Sequence, residues 1–311
     1  MTWTKWCNRR SYIIWFNYYI KENKIFNIVP LIFVFLWSSA FITSKIIVDD
    51  SSPFISLSFR FGIVAFFFFL FFIFFSKNKK ISLKAFKDAS ISGLLFHGFY
   101  LGGVFYALSK GVSASLIALI VSLQPILTSI LAKIFLNETF SKFQWMGICL
   151  GLFGALIIIT SDILEGLTIF AFFAGLIGLI SSSLGIIWQK KIGSDLSLSG
   201  NNFLQASSAS IFHLFLALCF EDYFINFSNK FILAMSWQIF AVSLGAFLIL
   251  MWLLKHNKAN QTSTLFFLVP SVSALMAFII LNEQFSYFDL IGLFLSCVGV
   301  FIVTRSQEKI S

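Results

Sequence analysis

The segment Leu123-Gln124-Pro125 through Leu136-Asn137-Glu138-Thr139-Phe140-Ser141 returns 145 residues later as Leu268-Val269-Pro270 through Leu281-Asn282-Glu283-Gln284-Phe285-Ser286. The same offset, without gaps, pairs Phe143 with Phe288, Gly147 with Gly292, Leu150 with Leu295, Gly154 with Gly299 and Ile157 with Ile302. A chain that contains itself twice is built from two related units. Both units are apolar: 59% of the 311 residues are hydrophobic and 11% are charged, and the mean hydropathy is +0.92. That leaves too little polar surface to cover a water-soluble globule. In membranes, internal repeats of this kind build two alternately opening gates around one site.

A hydrocarbon core about 30 Å thick takes roughly 20 apolar residues per helix. Reading from one polar break to the next gives ten such stretches, at 28–48, 55–75, 89–108, 113–136, 143–160, 167–188, 200–220, 237–254, 261–281 and 288–304. They are continuous runs, of which Phe66 to Phe75 is the extreme, and not the short alternating segments of a barrel. The expected fold class is therefore an all-α polytopic membrane protein with ten transmembrane helices, divided into a tail at 1–27 and five-helix repeats at 28–160 and 167–306. The tail is basic and aromatic, without an apolar core leading to a small-residue cleavage site, which fits a cytoplasmic or interfacial segment better than a signal peptide. Cys7, Cys149, Cys219 and Cys297 are scattered, suggesting neither a disulfide framework nor a metal site, and no cofactor is expected.

With a cytoplasmic N-terminus, 17 Lys and Arg residues fall in the inside segments. Only Lys110 and Lys230 fall outside, and Lys45, Arg60 and Lys133 lie within spans. This asymmetry satisfies the positive-inside rule with both termini cytoplasmic and predicts a multi-pass protein of the cell inner membrane. The net charge of +9 then faces anionic lipid headgroups; a nucleic-acid partner would need a basic soluble domain that is absent. Five spans per copy is an odd number, so the second copy enters the membrane upside down. The repeats are predicted to be inverted, with Glu138 at the cytoplasmic surface and Glu283 at the external one.

The pattern Ser122-Leu123-Gln124-Pro125, Leu136-Asn137-Glu138, Gly147 and Gly154 resembles the signature of EamA-type transporters of the drug/metabolite transporter superfamily. Val269-Pro270, Leu281-Asn282-Glu283, Gly292 and Gly299 repeat it, and Trp37-Ser38-Ser39-Ala40-Phe41, Ser52-Pro53 and Arg60 resemble the start of such a domain. The similarity covers residues 28–306. The second copy departs from it with Leu198 and Gln205 in place of Pro53 and Arg60, and Asn stands before Glu where the family often has Gly. The resemblance implies a ten-helix secondary transporter of small metabolites, commonly an exporter, with a central cavity.

Within that frame, Trp37, His97, Tyr100, Gln124, Trp188, Trp252 and Arg60 are the candidate substrate-binding residues. The aromatic and amide groups suit amphipathic metabolites through stacking and cation–π contacts. His97 and His213 are ionisable groups at mid-depth, placed there either for the transport path or to hydrogen-bond a neighbouring helix. Arg60 could hold a substrate carboxylate through a bidentate pair, or pair with a helix-end carbonyl or carboxylate. Pro125 and Pro270 remove a backbone hydrogen bond inside a helix and are candidate hinges. Glu138 and Glu283, followed by Ser141 and Ser286, are expected to be structural, tying the starts of the fifth and tenth helices. Lys45 and Lys133 sit near span ends and can snorkel.

Gly98-xxx-Gly102 and Gly147-xxx-Gly151 allow close helix contact, which intramolecular packing satisfies as readily as a homodimer. No GxxxxGK[ST] loop, catalytic constellation or paired intramembrane acid is visible, so the chain is not expected to be an enzyme and energy would come from gradients. The reading is a secondary carrier of small polar metabolites, amino acids or related compounds, working by alternating access. The alternative is a flippase of a lipid-linked substrate.

Overall fold

The computed structural model describes residues 24–76, 79–124, separate positions between 126 and 157, 169–191, 196–256, 268–284 and 286–308. Nearly all of them are helical: α1 Lys24–Asp50, α2 Pro53–Phe75, α3 Leu83–Ser109, α4 Ala114–Ser122, α5 Ile169–Lys191, α6 Leu198–Phe220, α7 at 229–256, α8 Leu268–Leu281 and α9 Tyr287–Glu308. Among the described residues, six helices are long and apolar enough to cross a bilayer, namely α1, α2, α3, α5, α6 and α7. Shorter apolar helices run through Ala114–Thr128, Leu268–Leu281 and Leu290–Gly299. The chain is an all-helical, multi-pass membrane protein.

Two helices begin earlier than the hydropathy suggests. The stretch expected from 89 starts at Leu83, and the one expected from 237 starts at Asn229. The cause is local chemistry: Ser82 accepts a hydrogen bond from the Ala85 N–H, and Ser228 accepts one from the Phe231 N–H, each satisfying a donor of a first turn. Those first turns carry Lys84, Lys87, Asp88 and Lys230, so the apolar run marks where the core begins and not where the helix does. Ser113 and Ser197 cap α4 and α6 in the same way.

α2 and α6 lie antiparallel along their whole length. At one end the Ser76 hydroxyl meets those of Ser197 and Ser199 at 2.7 and 3.0 Å. Midway, Ser58 Oγ donates to the Ser210 carbonyl and Ser210 Oγ returns a bond to the Ser58 carbonyl, at 3.1 and 2.9 Å. At the other end the Glu221 carboxylate accepts from the Phe54 and Ile55 N–H groups at 2.8 and 3.1 Å. α2 and α6 are separated by the 145-residue offset, since Ser52 and Ser197 both stand immediately before a helix.

Hydrophobic burial provides little attraction between helices in lipid, so close steric fit must do more. α3 lies against α5 where a Cβ on Gly103 would sit 2.3 Å from the Ala174 carbonyl oxygen, a position only hydrogen can fill. α9 lies against the 147–151 turn in the same manner, with Gly299 2.3 Å, by the same measure, from the Gly151 nitrogen. The Gly147-xxx-Gly151 stripe is therefore filled by the chain's own α9. Phe33, Phe61, Phe105 and Phe231 are fully enclosed, whereas Phe66, Phe69, Phe71, Phe74 and Phe75 turn outward on the side a bilayer would solvate.

Candidate functional site

α3 and α7 are not uniform α-helices. Residues Leu94–Phe99 of α3 and Gln238–Ala246 of α7 wind as π-helix, and the offset of 145 carries 94–99 onto 239–244, inside the second segment. A π turn inserts a residue into the hydrogen-bond ladder and redirects side chains and carbonyls, and such turns concentrate at functional sites. Here both segments face one cavity. Its walls are Trp37, Ala40, Phe41 and Ser44 from α1, Arg60 from α2, Phe96, His97, Tyr100, Leu101 and Val104 from α3, and Val242, Ser243 and Phe247 from α7. The same offset that relates the copies relates His97-Gly98 to Val242-Ser243, so the cavity is faced by equivalent positions bearing different chemistry.

The polar groups are few, and they are held by one another or by neighbours just beyond the lining. Arg60 is 3% exposed; its Nε donates to Ser243 Oγ at 2.9 Å, and its guanidinium lies 5.1 Å from the centre of the Phe61 ring. His97 packs between Phe61 and Phe247, with ring centres 4.9 and 4.7 Å away. Its carbonyl meets His213 Nε2 at 3.0 Å. Trp37 and Tyr100 stand together in the lining, both beside Phe96, with ring centres 6.2 and 5.5 Å from it. α1 is fixed to α7 by Gln238, whose Nε2 donates among the Ala40 carbonyl, Thr43 Oγ1 and Ser44 Oγ at 2.7 to 2.9 Å, and by the Trp237 indole N–H on Ser39 Oγ.

Of the residues singled out in the sequence, the fold brings Trp37, Arg60, His97 and Tyr100 together at this cavity. The others lie elsewhere. Gln124 is buried against α5, where Ser183 Oγ donates to its backbone carbonyl at 3.4 Å. The Trp188 indole N–H donates to the Asp88 carbonyl at 3.2 Å, closing α5 onto the first turns of α3. Trp252 packs on the hydrophobic core beyond the lining. His213 is enclosed, stacked near Phe54 and Phe61, and joins α6 to α3. Lys45 pairs with Asp49 at 2.6 Å along α1. Pro270 is buried in α8, next to a Val269 carbonyl that accepts from Ser38 Oγ at 3.3 Å. Pro125, Glu138 and Lys133 lie outside the described residues.

Glu283 reaches a different helix start from the one its sequence neighbours suggest. Asn282 ends α8 in the left-handed conformation, φ 55° and ψ 30°, a backbone that Asn tolerates better than most side-chain-bearing residues and that explains why Asn can stand where Gly is common. That turn sends the Glu283 carboxylate across to α4, where it accepts from the Ala114 and Ser115 N–H groups and from Ser115 Oγ at 2.8, 3.3 and 2.6 Å. Glu221 makes the corresponding tie to α2. Half-burial pushes its carboxyl above the ordinary value, opposed by the two backbone donors, so this tie loses its charge at a higher pH than a solvated glutamate would. Near it the chain linking α1 to α2 is stitched to the one linking α6 to α7: Asn226 N–H donates to the Asp50 carbonyl at 2.8 Å, Ser52 N–H to the Phe224 carbonyl at 3.0 Å, and Ser228 Oγ to the Asp50 carboxylate.

Sequence reasoning missed the rest of the lining: Ala40, Phe41, Ser44, Phe96, Leu101 and Val104 beside the residues it named, and Val242, Ser243 and Phe247 of α7. For Val242 and Ser243 the signal was present, because the repeat register places them opposite His97 and Gly98.

Comparison with known proteins agrees with this architecture. The model of the EamA-like transporter family matches twice, over residues 25–160 and 169–305. The chain is 27% identical over 275 residues to an uncharacterized transporter of Buchnera aphidicola subsp. Schlechtendalia chinensis, covering 86% of this chain and 87% of that protein. It is 26% identical over 286 residues to a protein of Escherichia coli strain K12 named "Probable amino-acid metabolite efflux pump", covering 88% and 93% respectively. A solved crystal structure at 14% identity superposes with a TM-score of 0.64 over 91% of this chain and 98% of that one, a likeness of fold alone. With the family model matching each half of it, the chain belongs to the EamA-like transporter family.

Proposed function

We propose that the protein is a secondary transporter that moves small polar metabolites, amino acids or related compounds, across the cytoplasmic membrane by alternating access. Ten helices form two inverted five-helix repeats, residues 28–160 and 167–306, with both termini cytoplasmic. The observation that carries this reading is the cavity walled by π segments 145 residues apart in sequence. One pair of helices related by that offset, α2 and α6, is tied antiparallel, which supports the inversion, and two half-structures of nearly equal energy can then exchange conformations around one site. Among the described charges, Lys110 and Lys230 lie near the end bearing Glu221 and Glu283, and Lys79, Lys80, Lys84, Lys87, Lys142, Lys190 and Lys191 belong to the opposite end, which supports the assigned orientation. The amino-acid cargo draws on the name of the Escherichia coli relative and on the aromatic lining.

Purified protein in liposomes loaded with unlabelled amino acids and related metabolites is expected to accumulate the labelled counterpart by counterflow. Movement of a fluorescent lipid analogue, with no counterflow of any soluble compound, would sink this reading in favour of a flippase.

A further inference from the structure

Resting on the transporter reading, we infer that Arg60 anchors the carboxylate of the cargo. The subsite takes a monocarboxylate head group, carried either by an amino acid or by an amine-free acid, and the rest of the molecule lies against the aromatic wall.

The argument starts from charge. Arg60 is the one formally charged side chain among the described residues that line the cavity. An enclosed guanidinium without a counter-charge is costly, by several kcal/mol for an ion of this size. A purely structural arginine would be expected to meet a carboxylate or a set of helix-end carbonyls. Among the described residues it has neither: its hydrogen bond goes to the neutral Ser243 hydroxyl, the acids nearest the ends of α2 are committed to backbone N–H groups, and the ion pair present is Lys45 with Asp49. With Nε engaged, the two terminal nitrogens remain as the parallel fork that matches a carboxylate.

The lining narrows the ligand. The cavity comprises at most about 470 Å³ of unfilled space, which includes its open side, the scale of a small metabolite with its head group at Arg60. Trp37, Phe41, Phe96, Tyr100 and Phe247 supply apolar and aromatic surface for the remainder. A dianion such as a phosphate monoester would bring one negative charge more than Arg60 can neutralise, again uncompensated in a desolvated site.

The test separates anchor from transport. The purified full-length protein in detergent is titrated with each proteinogenic amino acid, its primary amide, the matching 2-oxo acid and benzylphosphonate, and apparent affinities are taken from the concentration dependence of melting. At least one acid is expected to bind about 30-fold or more tightly than its amide, the loss that follows from leaving one member of a buried charge pair unpaired. Amino acids and 2-oxo acids together reveal which source of carboxylate the site takes, and preference for either supports the anchor. Arg60→Lys, which keeps the charge and removes the fork, should shrink the acid preference to a few-fold, and Arg60→Gln should abolish it; should the Gln variant fail to fold, the Lys variant decides. Equal affinity for acids and amides, binding of no acid, preference for benzylphosphonate, or an acid preference unchanged in the folded variants would overturn the inference. Acid-selective binding without counterflow would leave the anchor standing and sink the transport reading; counterflow of amides and acids alike would do the reverse.

Discussion

Glu283 offers the sharpest test of how the bundle is held, because one side chain from the end of α8 satisfies donors at the start of α4. Hydrogen bonds to a charged group contribute about 1.5–3 kcal/mol each when counted singly and less when they share one carboxylate; the helix N-terminus adds about 0.3–1 kcal/mol. Ser113 already caps the Leu116 N–H, so α4 would not lose its whole first turn. Glu283→Gln keeps an acceptor oxygen but removes the charge and presents an amide N–H₂ to existing donors, for an expected loss of about 1–2 kcal/mol. Glu283→Ala strands the Ala114 and Ser115 N–H groups, for about 2–4 kcal/mol. At about 2–4 °C per kcal/mol for a chain of roughly this size, the melting temperature in detergent should fall by about 2–8 °C for Gln and by about 4–16 °C for Ala. Gln284→Ala, at the exposed neighbouring position, is the control. A Glu283→Ala protein that melts with the parent, or with the Gln284→Ala control, refutes the reasoning that this carboxylate joins α8 to α4.

Two further substitutions probe backbone and packing. Asn282→Gly should leave melting within a degree or two of the parent, because Gly adopts the observed φ of 55° freely, while Asn282→Ile should cost about 1–2 kcal/mol by forcing a branched side chain into the left-handed region; equal melting of both variants would contradict the assignment. Gly299→Ala places a methyl 2.3 Å from the Gly151 nitrogen, so α9 must move, and about 1–3 kcal/mol should be lost. Unchanged melting would show that α9 is free to withdraw.

The parts of this molecule written locally were legible. Apolar runs marked where helices would lie because a bilayer leaves backbone groups no partner but each other. The 145-residue echo announced two related units, and Arg60, Trp37, His97 and Tyr100 stood out as costly or amphipathic groups in apolar surroundings. Gln124, Trp188 and Trp252 stood out for the same reason yet line other contacts, because composition reports that a polar or aromatic group is inside a span but not which neighbour it faces. The commitment of Trp188 to the Asp88 carbonyl depends on α5 packing against a helix 100 residues away in sequence, and no local pattern encodes that distance.

The sequence by itself determined the apolar, helical, duplicated character of the chain and the asymmetry of its charges, since hydropathy, repetition and lysine placement are properties of short segments. Only the tertiary structure decided that α3 and α7 each wind a π segment toward one cavity, that Arg60 meets Ser243 there, and that Glu283 caps α4 instead of its own following helix. Those outcomes follow from the close packing of several helices at once, where the position of each side chain is set by partners from distant parts of the chain.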